Sequence, residues 1–171
     1  MARKRTDYII IHCSATKPNQ NIDVDTIAEW HLARGFLGVG YSKVITRSGE
    51  IQDGRSIYDI QAANKDYNHK SVALCMVGGV SQKDVKVPES NFTEEQWISL
   101  EKLLSELTEE FPDAYIIGHN QISNKACPSF DVPQYLKTTK FAPKAVDKVC
   151  KTCQLPLTEE CKKENCPNKN K

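Results

Sequence analysis

Apolar and polar positions alternate in blocks along the first 140 residues, and the blocks predict an ordered series of strands and helices. Three short apolar runs predict buried strands, at 7–13, 71–79 and 114–119. Residues 41–55 predict a β-hairpin that turns at Ser48-Gly49. Strands and helices that alternate along a chain are typical of an α/β fold, so we expect a central mixed β-sheet covered by helices.

Helical spacing of apolar positions predicts three helices between these strands. The first covers about 24–34, and an aspartate stands before it as a candidate N-cap. The second, at 92–111, begins with a capping-box pattern at Thr93 and Gln96 and carries one apolar stripe. A last short helix is expected at 132–140.

Length and charge favour an ordinary globular domain with a small appendage. The chain has 171 residues and a net charge of +1, so no overall field attracts nucleic acid or a membrane surface. No apolar run approaches the roughly 20 residues that span a bilayer. The apolar part of the basic start is too short for a signal peptide. We therefore expect cytoplasmic synthesis, no nucleic-acid partner and no membrane insertion.

Two of the predicted strands end in a histidine, at His12 and at His119. Sites in open α/β sheets gather at the carboxyl ends of strands, so the two imidazoles meet if these strands are neighbours. Cys127 follows shortly afterwards and would complete three ligands for a catalytic zinc ion. Spacing alone leaves Cys127 open to other interpretations: a small buried thiol, half of a disulfide, or a nucleophile with His119 as its base.

Five segments, in order, resemble the type-2 N-acetylmuramoyl-L-alanine amidases, a family that includes the peptidoglycan recognition proteins. They are IIIHCSATKPNQN, WHLARGFLGVGYSKVITRSGEIQDGR, DYNHKSVALCMVGGV, NFTEEQ and GHNQISNKACPSFD, within about residues 7–136. Within the family the chain looks closest to the lysozymes of T-odd coliphages. The resemblance implies zinc-dependent hydrolysis of the amide bond between N-acetylmuramic acid and L-alanine in peptidoglycan, as in cell-wall lysis by a phage endolysin.

The resemblance also implies roles for individual residues. His12, His119 and Cys127 match the family's zinc ligands. Tyr41 matches the catalytic tyrosine, and Lys125 matches the lysine that accompanies the zinc in the phage enzymes. A positive charge and a hydroxyl at these positions suit the oxyanion that forms during amide hydrolysis, and the Tyr41 hydroxyl could also orient water or pass a proton.

Some matched positions carry no catalytic expectation. His31 matches a family histidine, but it lies on the apolar face of its helix, so we expect it to be structural. Ser42, Ala63 and Asn120 stand where many relatives have other residues. We expect these three to line the substrate groove and to affect substrate fit and rate rather than the reaction.

Peptidoglycan is the partner that the resemblance implies, and we expect a monomer that acts on the cell wall after release. A non-catalytic peptidoglycan-binding protein and a regulator that binds a polymerase are the alternatives. Because non-catalytic relatives typically lose the zinc cysteine, the presence of Cys127 argues against the first. A phage relative binds an RNA polymerase, but the amidase motifs do not imply such a surface here.

The C-terminal segment CKTCQLPLTEECKKENC lies outside the resemblance and is rich in cysteine. Four closely spaced thiols favour a second, structural zinc site, with disulfides or free thiols as alternatives. So small a segment would need the metal in order to fold. We therefore divide the chain into an amidase domain, 1–140, and a linker with a zinc-binding tail, 141–171. The candidate tail ligands are Cys150, Cys153, Cys161 and Cys166.

Overall fold

The computed structural model describes residues 1–141, whose centre is a five-stranded mixed sheet. Its strands are β1 (Tyr8–Cys13), β2 (Lys43–Ile45), β3 (Ile51–Asp53), β4 (Ser71–Met76) and β5 (Tyr115–Gly118). The strand order is β3-β2-β4-β1-β5. β3 is antiparallel to β2, and the other neighbouring pairs are parallel. The predicted α/β fold with a central mixed sheet is therefore confirmed.

Residues 1–141 also form three helices, in the predicted order along the chain, and two short 3₁₀ turns. The helices are α1 (Val24–Ala33), α2 (Glu94–Glu110) and α3 (Val132–Lys137), and the turns are Asn68–Lys70 and His119–Gln121. The element ends differ from the prediction by a few residues. β4, for example, stops at Met76 rather than at 79, because Gly78 and Gly79 take positive φ angles that an extended strand does not use.

The helix starts follow from their capping residues. The Asp23 side chain accepts from the backbone N–H of Thr26 at 2.8 Å and caps α1. Thr93 and Gln96 form the predicted capping box at α2. The Gln96 amide also donates to the carbonyls of Ile45 and Val77, at 3.1 and 2.9 Å, so the same residue ties α2 to the sheet.

Helices cover the sheet on both faces. On one face Leu100, Leu104 and Leu107 of α2 are buried against the strands, as the predicted apolar stripe requires. On the other face Ile27 of α1 packs with Val44 and Cys75 of the strands, among others. Burying a large aliphatic side chain stabilises the fold by about 1.5–3 kcal/mol. The two layers together fix the strand ends that carry the site.

Within residues 1–141, no helix combines the length and the apolar character that crossing a membrane requires. Phe141, at the end of this range, packs into the core of the α2 face. The predicted linker and the tail cysteines, Cys150, Cys153, Cys161 and Cys166, lie outside the described residues.

Candidate active site

His12 and His119 stand side by side because their strands are parallel neighbours. The β1–β5 register pairs Ile11 with Gly118, so the next residue along each chain segment is a histidine. The two ring centroids are 4.5 Å apart, and both side chains are buried. The sheet topology thus places both imidazoles at one carboxyl edge, where sites of α/β sheets gather.

Cys127 reaches the same point by a loop that follows β5. Its Sγ lies 3.8 Å from Nδ1 of His12, and it accepts a hydrogen bond from the backbone N–H of Cys13 at 3.2 Å. His12, His119 and Cys127 each offer one potential ligand atom, and these three atoms lie within 4.8 Å of one another. Two imidazoles and one thiolate are donors of the kind zinc takes, so these residues form a possible metal site.

The state of the three side chains fits such an ion. Nε2 of His12 is buried and has no hydrogen-bond partner among the described residues. Burial, the neighbouring His119 and Lys125 hold the pKa of His12 well below its ordinary value. Burial and then Lys125 lower the pKa of His119 to about 4. Both rings are therefore neutral near pH 7 and free to donate a lone pair.

Cys127 needs a nearby cation in order to become a thiolate. The neighbouring thiol of Cys13, together with burial, raises the pKa of Cys127 above the ordinary cysteine range. A coordinated metal ion reverses this effect, because a coordinating thiol is deprotonated outright. The N–H of Cys13 then stabilises the sulfur charge from outside the ligand set.

Tyr41 and Lys125 lie beside the three potential ligands. The Tyr41 ring centroid is 5.3 Å from that of His12, and its side chain packs against the apolar cluster that includes Cys75 of β4. Burial raises the pKa of Tyr41, so its hydroxyl keeps its proton. Lys125 is exposed at the rim, close enough for its charge to lower the pKa of both histidines.

These groups line one cleft of about 610 Å³. Among residues 1–141, no carboxylate belongs to its lining, whereas Arg34 and Lys125 supply positive charge. The partly exposed Trp30 and the ring of Phe36 form part of the wall. The cleft therefore offers an apolar wall with cationic groups around the three potential metal ligands.

The sequence matches the N-acetylmuramoyl-L-alanine amidase family over residues 2–130. The chain belongs to this family. It is 41% identical to the endolysin of Enterobacteria phage K11 over 136 residues, which are 80% of this chain and 89% of that protein. It is also 41% identical to the endolysin of Escherichia phage T7 over 133 residues, 78% of this chain and 87% of the relative.

Solved structures show the same fold. The N-acetylmuramoyl-L-alanine amidase LysC from Clostridium intestinale URNW superposes with a TM-score of 0.65 at 22% identity, over 78% of this chain and 83% of that one. The expected resemblance to the type-2 amidases and to the T-odd phage lysozymes is confirmed. The chain is thus an amidase that hydrolyses the bond between N-acetylmuramic acid and L-alanine in peptidoglycan.

His31 of the amidase is buried, as its place on the apolar helix face led us to expect. Its Nδ1 accepts the backbone N–H of Gly40 at 2.8 Å, and its ring stacks on Phe36 at 5.1 Å. Gly40 immediately precedes Tyr41, whose ring lies 5.4 Å from His31. The histidine therefore holds the segment that delivers the tyrosine to the cleft.

The three departures from the family pattern fall in different places. Ala63 lines the cleft, as expected. The same expectation is wrong for Ser42, which is buried at the start of the hairpin and donates to Gln61 Oε1 at 2.7 Å. Asn120 lines a separate pocket beside α3 and is not among the lining residues of the cleft that holds His12 and His119.

Sequence reasoning gave no role to several residues of the candidate site. Cys13 contacts Cys127, and Cys75 contacts Tyr41. Trp30 and Arg34 line the cleft. Signals for two of them were available. Cys13 directly follows a histidine at a predicted strand end. Trp30 stands one helical turn before Arg34, and Nε of Arg34 donates to the backbone carbonyl of Trp30 at 3.2 Å.

Proposed function

We propose that this amidase holds a catalytic zinc ion with His12, His119 and Cys127, and that it lyses cell walls in the manner of an endolysin. The observation that carries the proposal is the convergence of three potential ligand atoms within 4.8 Å at the carboxyl edge of the sheet. Three protein ligands leave a fourth zinc position open for water or substrate, which is the arrangement of catalytic rather than structural zinc.

Each potential ligand is prepared for this task by its surroundings. When bound, zinc would activate water and polarise the scissile carbonyl. The lowered pKa values of His12 and His119 keep both imidazoles neutral and available as donors. The N–H of Cys13 orients the sulfur of Cys127 from the opposite side, as groups outside a ligand set commonly do.

Tyr41 and Lys125 act on the developing oxyanion. The Tyr41 hydroxyl keeps its proton, so Oη can donate a hydrogen bond to the carbonyl oxygen or orient the attacking water. The ammonium group of Lys125 adds positive charge at the rim of the cleft. Donors that act on the charge developing in the transition state are typically worth about 10²–10³ in kcat each.

The cleft suits an anionic peptide beside a sugar. Arg34 and Lys125 attract carboxylates, and no carboxylate from the described part of the chain lines the cleft to repel them. The relatives named endolysin support action on the cell wall after release from the cytoplasm. Because all the proposed site residues come from one chain, a monomer suffices for the reaction. Binding of an RNA polymerase is not part of this proposal.

We also propose that residues 1–140 form the amidase domain and 141–171 a linker and tail. The family match ends at residue 130, and the described core closes at Phe141. The structural zinc site of the tail stays a prediction from cysteine spacing.

Digestion of purified peptidoglycan tests the proposed function. Newly exposed L-alanine amino groups and new reducing sugar ends are followed together in the same digest. Release of amines without reducing ends, lost with a strong chelator and restored by added zinc, is the expected result. Amine release that survives complete metal removal contradicts the zinc proposal. No release from a zinc-loaded chain favours a peptidoglycan-binding role instead.

A further inference from the structure

Cys13 brings a second thiol to the sulfur of Cys127. The backbone N–H of Cys13 donates to Sγ of Cys127 at 3.2 Å, and both side chains line the same cleft. The two residues are 114 positions apart in the sequence. The fold therefore brings these two cysteines into contact, and a disulfide between them requires the two sulfurs to approach to about 2.05 Å.

The surroundings of Cys13 keep its sulfur directed at this contact. The Ser129 hydroxyl lies 3.6 Å from Sγ of Cys13 on one side. On another side the sulfur fills the space above Gly79, where an added Cβ would lie only 2.6 Å from it. Gly79 has a φ of +102°, so both its backbone and its missing side chain make this placement possible.

Cys13 is not needed as a metal ligand. Among the described residues, the group of converging ligand atoms consists of His12, His119 and Cys127. Cys13 nevertheless lines the cleft together with Cys127, so a small solute that enters the cleft can reach the pair. Its thiol has no role in the proposed hydrolysis and is available for other chemistry.

We propose that Cys13 and Cys127 form an oxidation-sensitive dithiol, which a peroxide converts to a disulfide whenever Cys127 is not coordinated to metal. One cysteine sulfur first attacks hydrogen peroxide, whose O–O bond breaks, to give a sulfenic acid and one water. The other sulfur then displaces the hydroxyl group as a second water and forms the S–S bond. In total two thiols lose two protons and two electrons, and the peroxide is reduced to two waters.

The disulfide and the metal exclude each other. A Cys127 sulfur bonded to Cys13 is no longer a thiolate, so the oxidised chain has lost one of three ligands. Conversely, a coordinated Cys127 is withdrawn from the reaction with peroxide. This exclusion rests on the proposed zinc site, whereas disulfide formation in the metal-free chain does not.

Peptide mapping of the metal-free full-length chain tests the dithiol. The chain is treated with hydrogen peroxide, remaining thiols are alkylated, and non-reduced peptides are identified by mass spectrometry. We expect a linked pair of the Cys13 and Cys127 peptides in the wild type and in Cys75→Ala, a control that removes another buried thiol. The pair is expected to be absent from Cys13→Ala. Linkage of Cys127 to a tail cysteine, or its direct oxidation at equal rates with and without Cys13, overturns the proposal.

A second arm repeats the reaction with zinc. At a free zinc concentration about ten times its Kd, the metal-free fraction and hence the rate of disulfide formation should fall roughly tenfold. Reduction of the disulfide should restore zinc binding, measured by metal analysis after gel filtration. If the pair forms at the same rate with and without zinc, the exclusion is refuted while the dithiol itself stands, so the two failures are distinguishable.

Discussion

Sγ of Cys127 lies 3.8 Å from Nδ1 of His12, although the two residues are 115 positions apart in the sequence. The contact exists because β1 ends at the carboxyl edge of a parallel sheet and the loop after the neighbouring β5 returns to that edge. The site therefore depends on the strand order as much as on the identity of its residues.

Replacing Cys127 by alanine should remove one equivalent of bound zinc and almost all amidase activity. Loss of an outer-shell partner alone costs about 10–100-fold in metal affinity or activity, so loss of a ligand should cost at least about 100-fold. Metal analysis after dialysis and amine release from peptidoglycan measure the two effects. Asn124→Ala, an exposed change in the same loop, is the matched control. A Cys127→Ala chain that keeps the wild-type zinc content would contradict the ligand assignment.

Tyr41→Phe should lower kcat by about 100-fold or more and leave KM nearly unchanged, because in the proposed mechanism the hydroxyl acts on the transition state. Tyr58→Phe is the matched control, since Tyr58 is exposed and its hydroxyl donates to Glu110 at 2.9 Å, outside the cleft lining. Steady-state kinetics on a soluble muropeptide separates the two parameters. A rise in KM with constant kcat would assign Tyr41 to substrate binding alone.

Lys125→Met should reduce kcat/KM by about 10²–10³ and leave zinc content unchanged, because in the proposed mechanism the ammonium group stabilises charge without being a ligand. Lys83→Met removes an exposed lysine from a loop outside the cleft lining and should have no effect. Both variants are compared by kinetics and by metal analysis. Equal activity of the two variants would show that Lys125 is only a solvated surface residue.

The hydrophobic pattern predicted the strands and their order of appearance, and so it placed His12 and His119 at strand ends. It could not decide the role of Cys127, because the loop that carries this residue has no periodicity, and there the family resemblance was needed. The pattern also gives no side-chain direction at the edges of elements. For that reason Ser42 was wrongly expected in the groove, and the contacts of Cys13 and Cys75 came only from the structure.

Removal of residues 142–171 tests both the domain division and the predicted tail site. The family match and the described core end before this segment, so the shortened chain should keep its peptidoglycan amidase activity within about twofold. If the tail cysteines bind zinc, the full chain should carry one more zinc than the shortened one, as counted by metal analysis. Equal zinc content would refute the tail site, and loss of activity with retained fold would refute the domain division.

The stability of the metal-free chain should fall as the pH falls from about 6.5 to about 4. Burial and Lys125 lower the pKa of His119 to about 4 in the folded chain, from an ordinary value of 6.5. Between these two pH values the unfolded chain binds a proton at His119 that the folded chain does not bind, and this favours unfolding. Below about pH 4 both forms are protonated at His119, so this residue causes no further loss of stability. The lowered pKa of His12 acts in the same direction.

Urea denaturation of the metal-free chain at several pH values measures this slope. His119→Gln should flatten it, because glutamine does not titrate, and His12 should account for part of what remains. Adding zinc at the higher pH values should raise stability in the wild type more than in His119→Gln, since an ion that binds the folded chain stabilises it by mass action. An identical slope in the two chains would show that the fold does not hold His119 neutral. It would then be wrong that both imidazoles are ready to donate a lone pair to a metal ion.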